Sequence, residues 1–325
     1  MELPRIVGST PELEAFLDEW FSPSPTIEAH TSGSTGDPKL IRLLKEDMRI
    51  SARSTCRSFG LNRESVMALP LSVGYIAGKM MVVRAIESGA TLFVESPSSL
   101  PLVTLPADTI VDLVAVVPAQ LPGLLGDGLK RVKVKAMIVG GAPVDAAAEH
   151  LVLASGIEAF ATYGMTETCS NVALRRFGTE FYRANPGFRF TSDSRGCLVV
   201  ESEAMSFGSL TTNDIVELGD DSLSFRWIGR ADNIINSGGI KVSPEEVERA
   251  IGDLIPQGRF YITSRPSLRW GEEVVGVVEQ GCLPGADQLR AIAARLGKAA
   301  IPKAWIETES LPRTPNGKLL RRRFG

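Results

Sequence analysis

Between residues 66 and 161 short apolar runs alternate with stretches of helical periodicity, and no other feature of the chain narrows its choice of fold as far. The runs are Val66 to Leu69, Thr91 to Val94, Leu113 to Val117, Ala136 to Val139 and Ile157 to Ala161, with helical patterns near 46–58, 75–88 and 143–154. A run without polar alternation suits a strand buried on both faces, and a helix between two such runs is the crossover that parallel strands require. The expectation is a large N-terminal α/β domain with a mostly parallel, covered sheet. A helix precedes it: Ser9-Thr10-Pro11-Glu12 has a hydroxyl cap, an early proline and an acidic first turn ahead of Leu13, Phe16, Leu17 and Trp20. After residue 175 the pattern turns to strands, with Cys197 to Glu201 and a hairpin in which Gly219-Asp220-Asp221 joins Ile215–Leu218 to Leu223–Ile228. This reads as an antiparallel annex. From Arg230 a small α+β domain is expected, with a helix capped at Ser243-Pro244-Glu245-Glu246, strands near Arg259–Thr263 and Val274–Glu279, and a helix near 287–296.

At 325 residues, two unequal domains are expected. The 35 Lys and Arg against 38 Asp and Glu leave a net charge of -3, with no cationic surplus for a nucleic-acid backbone. Four cysteines, at 56, 169, 197 and 282, show no C-x-x-C spacing, and His30 and His150 are the only histidines, so neither a zinc site nor a disulfide framework is expected. The most apolar stretch, Thr109 to Gly126, is broken by Asp112, Pro118 and Pro122, and no basic-then-apolar leader opens the chain. The expectation is a cytoplasmic protein with reduced thiols and no membrane insertion. Serine–histidine hydrolysis lacks support, because there is no G-x-S-x-G and His150 falls within a helical pattern.

The segment richest in chemistry is Thr31-Ser32-Gly33-Ser34-Thr35-Gly36-Asp37-Pro38-Lys39. Its glycines, hydroxyls and lysine offer backbone N–H groups, O–H donors and a cation, a set suited to a polyphosphate. It is not a Walker A loop, which needs Lys-Ser/Thr directly after its last glycine. A flexible linker is the plainer reading, but linkers rarely place Pro-Lys directly before an apolar run. Gly140-Gly141-Ala142 follows an apolar run, where small residues would let a planar ring approach the backbone. Glu167, Asp214 and Lys318 taken alone would read as a solvated loop carboxylate, a turn aspartate and part of a basic tail with Arg321, Arg322 and Arg323 on a terminal helix.

Together these segments resemble the adenylate-forming superfamily of acyl-CoA synthetases, peptide-synthetase adenylation domains and luciferases. Six segments match in the family's order: Thr31 to Lys39, Gly140 to Pro143, Tyr163-Gly164-Met165-Thr166-Glu167-Thr168, Thr212-Asn213-Asp214, Gly229 to Ile235, and Pro315-Asn316-Gly317-Lys318. The resemblance implies ATP and Mg2+ as cofactors, CoA as co-substrate and a small-molecule carboxylic acid as the group activated. By it, Thr31, Ser32, Gly33, Ser34, Thr35, Gly36 and Lys39 hold phosphates, Gly140, Gly141 and Ala142 lie against adenine with Tyr163 and Gly164 opposite, and Thr166 and Glu167 meet phosphate and magnesium. Asp214 and Arg230 hold the ribose, Asp232 is the hinge of a mobile C-terminal domain, Gly238 and Gly239 line the thiol path, and Lys318 stabilises the adenylation transition state. The implied division is 1–229, a hinge at 230–232, and 233–325. Asn213 departs from the glycine usual before the ribose aspartate.

The run from Tyr163 to Ser170 is similar in detail to the o-succinylbenzoate-CoA ligases of menaquinone biosynthesis, in a short form, since the phosphate loop begins at residue 31. That leaves either a more open pocket or a surface covered by another copy, a homodimer. The acid would carry an aromatic ring and a second carboxylate needing a cation. Tyr75 and Lys79, where a helix opens, are the candidates, against a plain surface pair at i and i+4. Other readings are a ligase for another aromatic or short acyl acid, a non-catalytic adenylate-binding remnant, and an adenylating subunit serving a carrier-protein thiol.

Overall fold

The computed structural model describes residues 4–30, 40–256, 258–313 and 319–324. The chain divides into two compact units: unit 1 runs to Phe190 and adds Val200–Leu210 and Gly219–Phe225, and unit 2 takes Thr191–Val199, Thr211–Leu218 and the chain from Arg226.

Unit 1 is built on the expected parallel sheet. Strands β1 (Ile6–Val7), β4 (Val66–Leu69), β5 (Thr91–Val94), β6 (Ile110–Val116), β7 (Lys133–Val139) and β8 (Glu158–Met165) stand in the order β1-β5-β4-β6-β7-β8, every pair parallel. Helices α1 (Pro11–Phe21), α2 (Lys45–Phe59), α3 (Ile76–Ser88) and α4 (Ala146–Ala154) accompany it. The central strands read as they do because both faces are covered: Val111, Leu113, Val114 and Val116 are all buried. Thr10 caps α1 by accepting Leu13 N–H at 3.2 Å, and Leu13, Phe16 and Trp20 make its buried stripe. Each of those three side chains contributes on the order of 2 kcal/mol by leaving water.

Beyond β8 the sheet turns antiparallel through β9 (Ser170–Arg176) and β10 (Tyr182–Ala184). Strands β2 (Thr26–His30) and β3 (Leu40–Leu44), absent from the sequence-based expectation, form a separate antiparallel ribbon whose last pair is His30 with Leu40. Residues 31–39, the expected phosphate loop, lie outside the described residues.

Four strands follow: β11 (Arg189–Ser192), β12 (Cys197–Glu201), β13 (Ser209–Leu218) and β14 (Ser224–Arg230), each giving residues to both units. Gly219 N–H closes the expected turn onto the Ser224 carbonyl at 2.9 Å. The first strand of that hairpin starts at Ser209, so Asp214 lies within it rather than just ahead of it.

The rest of unit 2 holds a second sheet of β15 (Ile235–Ser237), β16 (Ile240–Val242), β17 (Phe260–Ser267) and β18 (Gly271–Glu279) in the order β16-β15-β18-β17, with β19 (Ala304–Thr308) parallel to β18. Helices α5 (Pro244–Ile251) and α6 (Ala286–Arg295) pack Val247, Ile251 and Ile292 onto Ile262, Val274 and Val278. Ser243 caps α5 through Glu246 N–H at 3.3 Å. Residues 319–324 are not helical, which corrects the terminal-helix alternative. Among the described residues no helix is long and apolar enough to cross a membrane.

Candidate functional site

In unit 1 the motif residues collect at the C-terminal ends of β7 and β8. Gly140, Gly141 and Ala142 directly follow β7, and Tyr163 and Gly164 lie near the end of the neighbouring strand, paired in register as Val139 with Ala161. Loops at the carboxyl ends of parallel strands are where open α/β sheets bind ligands. Gly141 takes φ 86°, a left-handed turn that glycine enters without strain. Gly164 meets a tighter demand: a Cβ there would stand 1.9 Å from the Ser170 carbonyl oxygen, at the bulge between β8 and β9. Tyr163 is held edge-on by Phe225 and Tyr182, with ring centroids at 5.0 and 5.8 Å.

The acidic motif is a single 3-10 turn, Thr166–Thr168. Thr168 is its internal brace, its hydroxyl oxygen accepting from Met165 N at 3.0 Å and lying 2.8 Å from the Ser170 carbonyl. Thr166 is buried and Glu167 is exposed. The turn is pinned from behind by α2, where Ser51 Oγ donates to the Cys169 carbonyl at 2.9 Å. Cys169 is buried in a left-handed conformation, and desolvation pushes its thiol up to about 12, so it is not a nucleophile.

Arg84 is the residue that sequence reasoning missed. It lies on α3 within Met80-Met81-Val82-Val83-Arg84-Ala85-Ile86, all buried, and is itself 1 % exposed. Its guanidinium donates to Asn171 Oδ1 at 2.5 Å and lies 3.5 Å from Ser170 Oγ, while its buried Nε has no hydrogen-bond partner. No carboxylate among the described residues pairs with it, and burial pushes its pKa down to about 10. A charge buried without a counter-charge is expensive, which makes Arg84 a candidate anion receptor beside the acidic motif. An arginine inside the apolar run Met80 to Ile86 was the available signal.

The two residues expected to face the acid part company. Tyr75 stands at the start of α3 and is 51 % exposed. Lys79 is buried, its ammonium 4.7 Å from the Phe16 ring centroid on α1, and desolvation lowers its pKa. They do not form the surface pair that their spacing suggested.

In unit 2 the ribose and hinge candidates adjoin one another. Asp214 is buried on β13, accepting Trp227 Nε1 at 3.2 Å, with Arg230 3.8 Å away. Arg230 also pairs with Asp232 at 3.0 Å, and Asn213 Nδ2 reaches the same carboxylate at 3.4 Å. Asp232 sits in a 3-10 turn, Ala231–Asn233, between β14 and β15. Gly238 and Gly239 make the turn joining β15 to β16, with Gly238 N–H bonded to the Trp270 carbonyl at 2.8 Å.

Thr31, Ser32, Gly33, Ser34, Thr35, Gly36, Lys39 and Lys318 lie outside the described residues. No cluster of three metal-ligating side chains occurs among the described residues. Glu167 alone still fits magnesium, which keeps several waters and takes one or two carboxylates with substrate phosphates. A cavity of about 580 Å³ lined by Asn62, Glu64, Asp112, Lys135 and Glu158 lies at the N-terminal ends of the strands, away from every motif. The four cysteines are free and buried.

Comparison with known proteins identifies the family. The AMP-binding enzyme family model matches residues 23–203. The chain is 25% identical to the 2-succinylbenzoate–CoA ligase of Listeria monocytogenes serovar 1/2a, over 99% of this chain and 74% of that relative. A solved acyl-CoA synthetase (AMP-forming)/AMP-acid ligase II-like protein from Dyadobacter fermentans superposes with a TM-score of 0.64 at 32% identity, over 98% of this chain and 94% of that one. The o-succinylbenzoate CoA synthetase of Bacillus subtilis, solved with ATP and magnesium ion, shares the fold with a TM-score of 0.75 at 20% identity, over 90% of this chain and 68% of that one. With more than half its length matched by the family model, the chain belongs to the AMP-binding enzyme family of AMP-forming ligases.

Proposed function

We propose that the protein activates o-succinylbenzoate with ATP and passes it to CoA, forming o-succinylbenzoyl-CoA as in menaquinone biosynthesis. The acid's ionised carboxylate attacks the α-phosphorus of ATP and pyrophosphate leaves; the thiol then attacks the acyl-adenylate and AMP leaves. The observation that carries the substrate reading is Arg84. A second carboxylate on the acid is the counter-charge that its buried guanidinium lacks. The similarity to the Listeria relative supports the same acid.

Within this reading Gly140, Gly141, Ala142, Tyr163 and Gly164 receive adenine, and Thr166 a phosphate oxygen. Glu167 is the protein's carboxylate for Mg2+, which neutralises phosphate charge when bound. Asp214 and Arg230 take the ribose hydroxyls, and Thr31 to Gly36 with Lys39 the remaining phosphates. Lys318 serves adenylation, Asp232 is the hinge of the C-terminal domain, and Gly238-Gly239 line the thiol path. No general base is required for the first step, because a carboxylate is already ionised at neutral pH. The cytosol is the compartment we assign, where ATP, CoA and four unpaired cysteines coexist.

Acid-dependent ATP–pyrophosphate exchange across o-succinylbenzoate, benzoates and fatty acids tests the reading. Exchange with o-succinylbenzoate well above the rest supports it. Preference for a monocarboxylate would move the protein to another acyl-CoA ligase, and exchange with none would favour a non-catalytic remnant.

A further inference from the structure

The acidic turn is followed by two residues in a conformation that ordinary side chains avoid. Cys169 has φ 54° and Ser170 φ 89°, and neither is glycine. Leu102 and Asp108 are the other non-glycine residues with positive φ among the described residues, and they stand apart, so this is the one adjacent pair. Such backbone persists only where its surroundings hold it, and it gathers where a functional group has to be aimed.

The holding contacts come from three sides. Cys169 N–H donates to the Thr166 carbonyl at 3.0 Å and closes the turn. Thr168 Oγ1 lies 2.8 Å from the Ser170 carbonyl and braces the turn against β9. From α2, Ser51 Oγ donates to the Cys169 carbonyl at 2.9 Å, so this bond falls on the peptide group between the two strained residues. Ser51 is fully buried, and the helix that presents it is anchored one turn earlier, where Asp47 accepts Ser206 N–H at 2.9 Å and also the Ser206 hydroxyl. Without the Ser51 hydroxyl the buried Cys169 carbonyl loses its partner, and the pair is released toward negative φ, which re-aims the turn from Thr166 to Thr168.

We propose that Ser51 is a positioning residue for Glu167: its hydroxyl, presented from α2, locks Cys169 and Ser170 in the left-handed conformation and so fixes the direction of the turn that carries the carboxylate. The inference rests on the reading of Glu167 as the carboxylate for Mg2+. A second hydroxyl on the same helix shows what a merely structural bond does. Ser54 Oγ donates to the Pro186 carbonyl at 2.6 Å and is also buried, but it ties down the segment after β10 rather than the turn.

The test uses the full chain, with Mn2+ standing in for Mg2+ because both take carboxylate and water oxygens. The affinity of the protein–ATP complex for Mn2+ is read by electron paramagnetic resonance, and hydrogen–deuterium exchange is followed over residues 166–171. Ser51→Ala should weaken Mn2+ binding fivefold or more and speed exchange of the Cys169 amide at least tenfold, while ATP affinity without metal stays within twofold. Ser54→Ala should lower the melting temperature by a similar amount and leave both readings within twofold of the wild type. Ser51→Ala/Cys169→Gly should bring Mn2+ affinity back to within twofold, because glycine takes positive φ without strain and needs no clamp. Equal effects of Ser51→Ala and Ser54→Ala on Mn2+ affinity, or no recovery with the glycine, would overturn the inference. If Glu167→Gln weakens Mn2+ binding and Ser51→Ala does not, the positioning claim alone fails. If Glu167→Gln leaves Mn2+ binding unchanged, the reading of Glu167 fails and the inference with it.

Discussion

Replacing Arg84 by methionine should make the protein more stable and less able to use its acid. The magnitude follows from burial. Burial pushes the guanidinium's pKa down to about 10, and keeping it charged costs the fold on the order of 3 kcal/mol. Methionine fills much of the same volume without a charge, and the substitution forfeits chiefly the bond to Asn171, worth about 1.5 kcal/mol. The net expectation is a gain of roughly 1–2 kcal/mol, a rise of a few degrees in Tm. The sign has a pH signature. A cation with a lowered folded-state pKa carries its full penalty below that pKa, so the advantage of Arg84→Met should be constant at neutral pH and shrink as pH rises above 10. In activity, kcat/KM for o-succinylbenzoate should drop about a hundredfold, and that for an analogue lacking the carboxylate that is not activated should change less than threefold. Differential scanning calorimetry and steady-state kinetics on the same preparations decide it. A lowered Tm with equal losses on both acids would make Arg84 a structural tie between α3 and the Ser170–Asn171 segment, and would remove the case for a dicarboxylate.

Glu167→Gln should cut Mg2+-dependent adenylation about a hundredfold while Tm stays put, because Glu167 is exposed on a one-turn helix; matched losses of stability and activity would contradict the metal role. Gly164→Ala should cost roughly 2–3 kcal/mol in denaturant unfolding, since its Cβ would collide with the Ser170 carbonyl, and an unchanged midpoint would refute the close approach at that bulge. Burial raises Cys56 to about 11 and Cys169 to about 12, so iodoacetamide at pH 8 should leave both unlabelled and activity intact, as peptide mass spectrometry can check.

The parallel core was legible because its strands are apolar on both faces: Val66–Leu69 and Thr91–Val94 have the same ends in the structure as in the sequence reading. Strands with only one or two buried side chains escaped it. In β2 and β3 only Ile27, Ala29 and Leu43 are buried, too few to set an apolar run apart. In β19 Ala304, Trp305 and Ile306 are only half-buried. Site chemistry was legible where residue types are unusual together, as in Tyr163 to Thr168. It was not legible where the message is burial: Lys79 looked like an open cation until α1 placed Phe16 beneath its ammonium, and Arg84 looked like one more arginine until α3 proved enclosed along its length. The arginine tail was likewise ambiguous, because only contacts with Glu248 and the Asp232 carbonyl separate Arg321 and Arg323 from the exposed Arg322.

The central claim is that this family member activates an aromatic dicarboxylic acid, and product analysis tests it most directly. The protein is incubated with ATP, Mg2+, o-succinylbenzoate and CoA, and AMP, pyrophosphate and acyl-CoA are quantified by liquid chromatography and mass spectrometry. The account expects equimolar AMP, pyrophosphate and o-succinylbenzoyl-CoA, all three dependent on the acid, with pyrophosphate exchange persisting when CoA is left out. ADP in place of AMP, or AMP and pyrophosphate formed at the same rate without the acid, would contradict it.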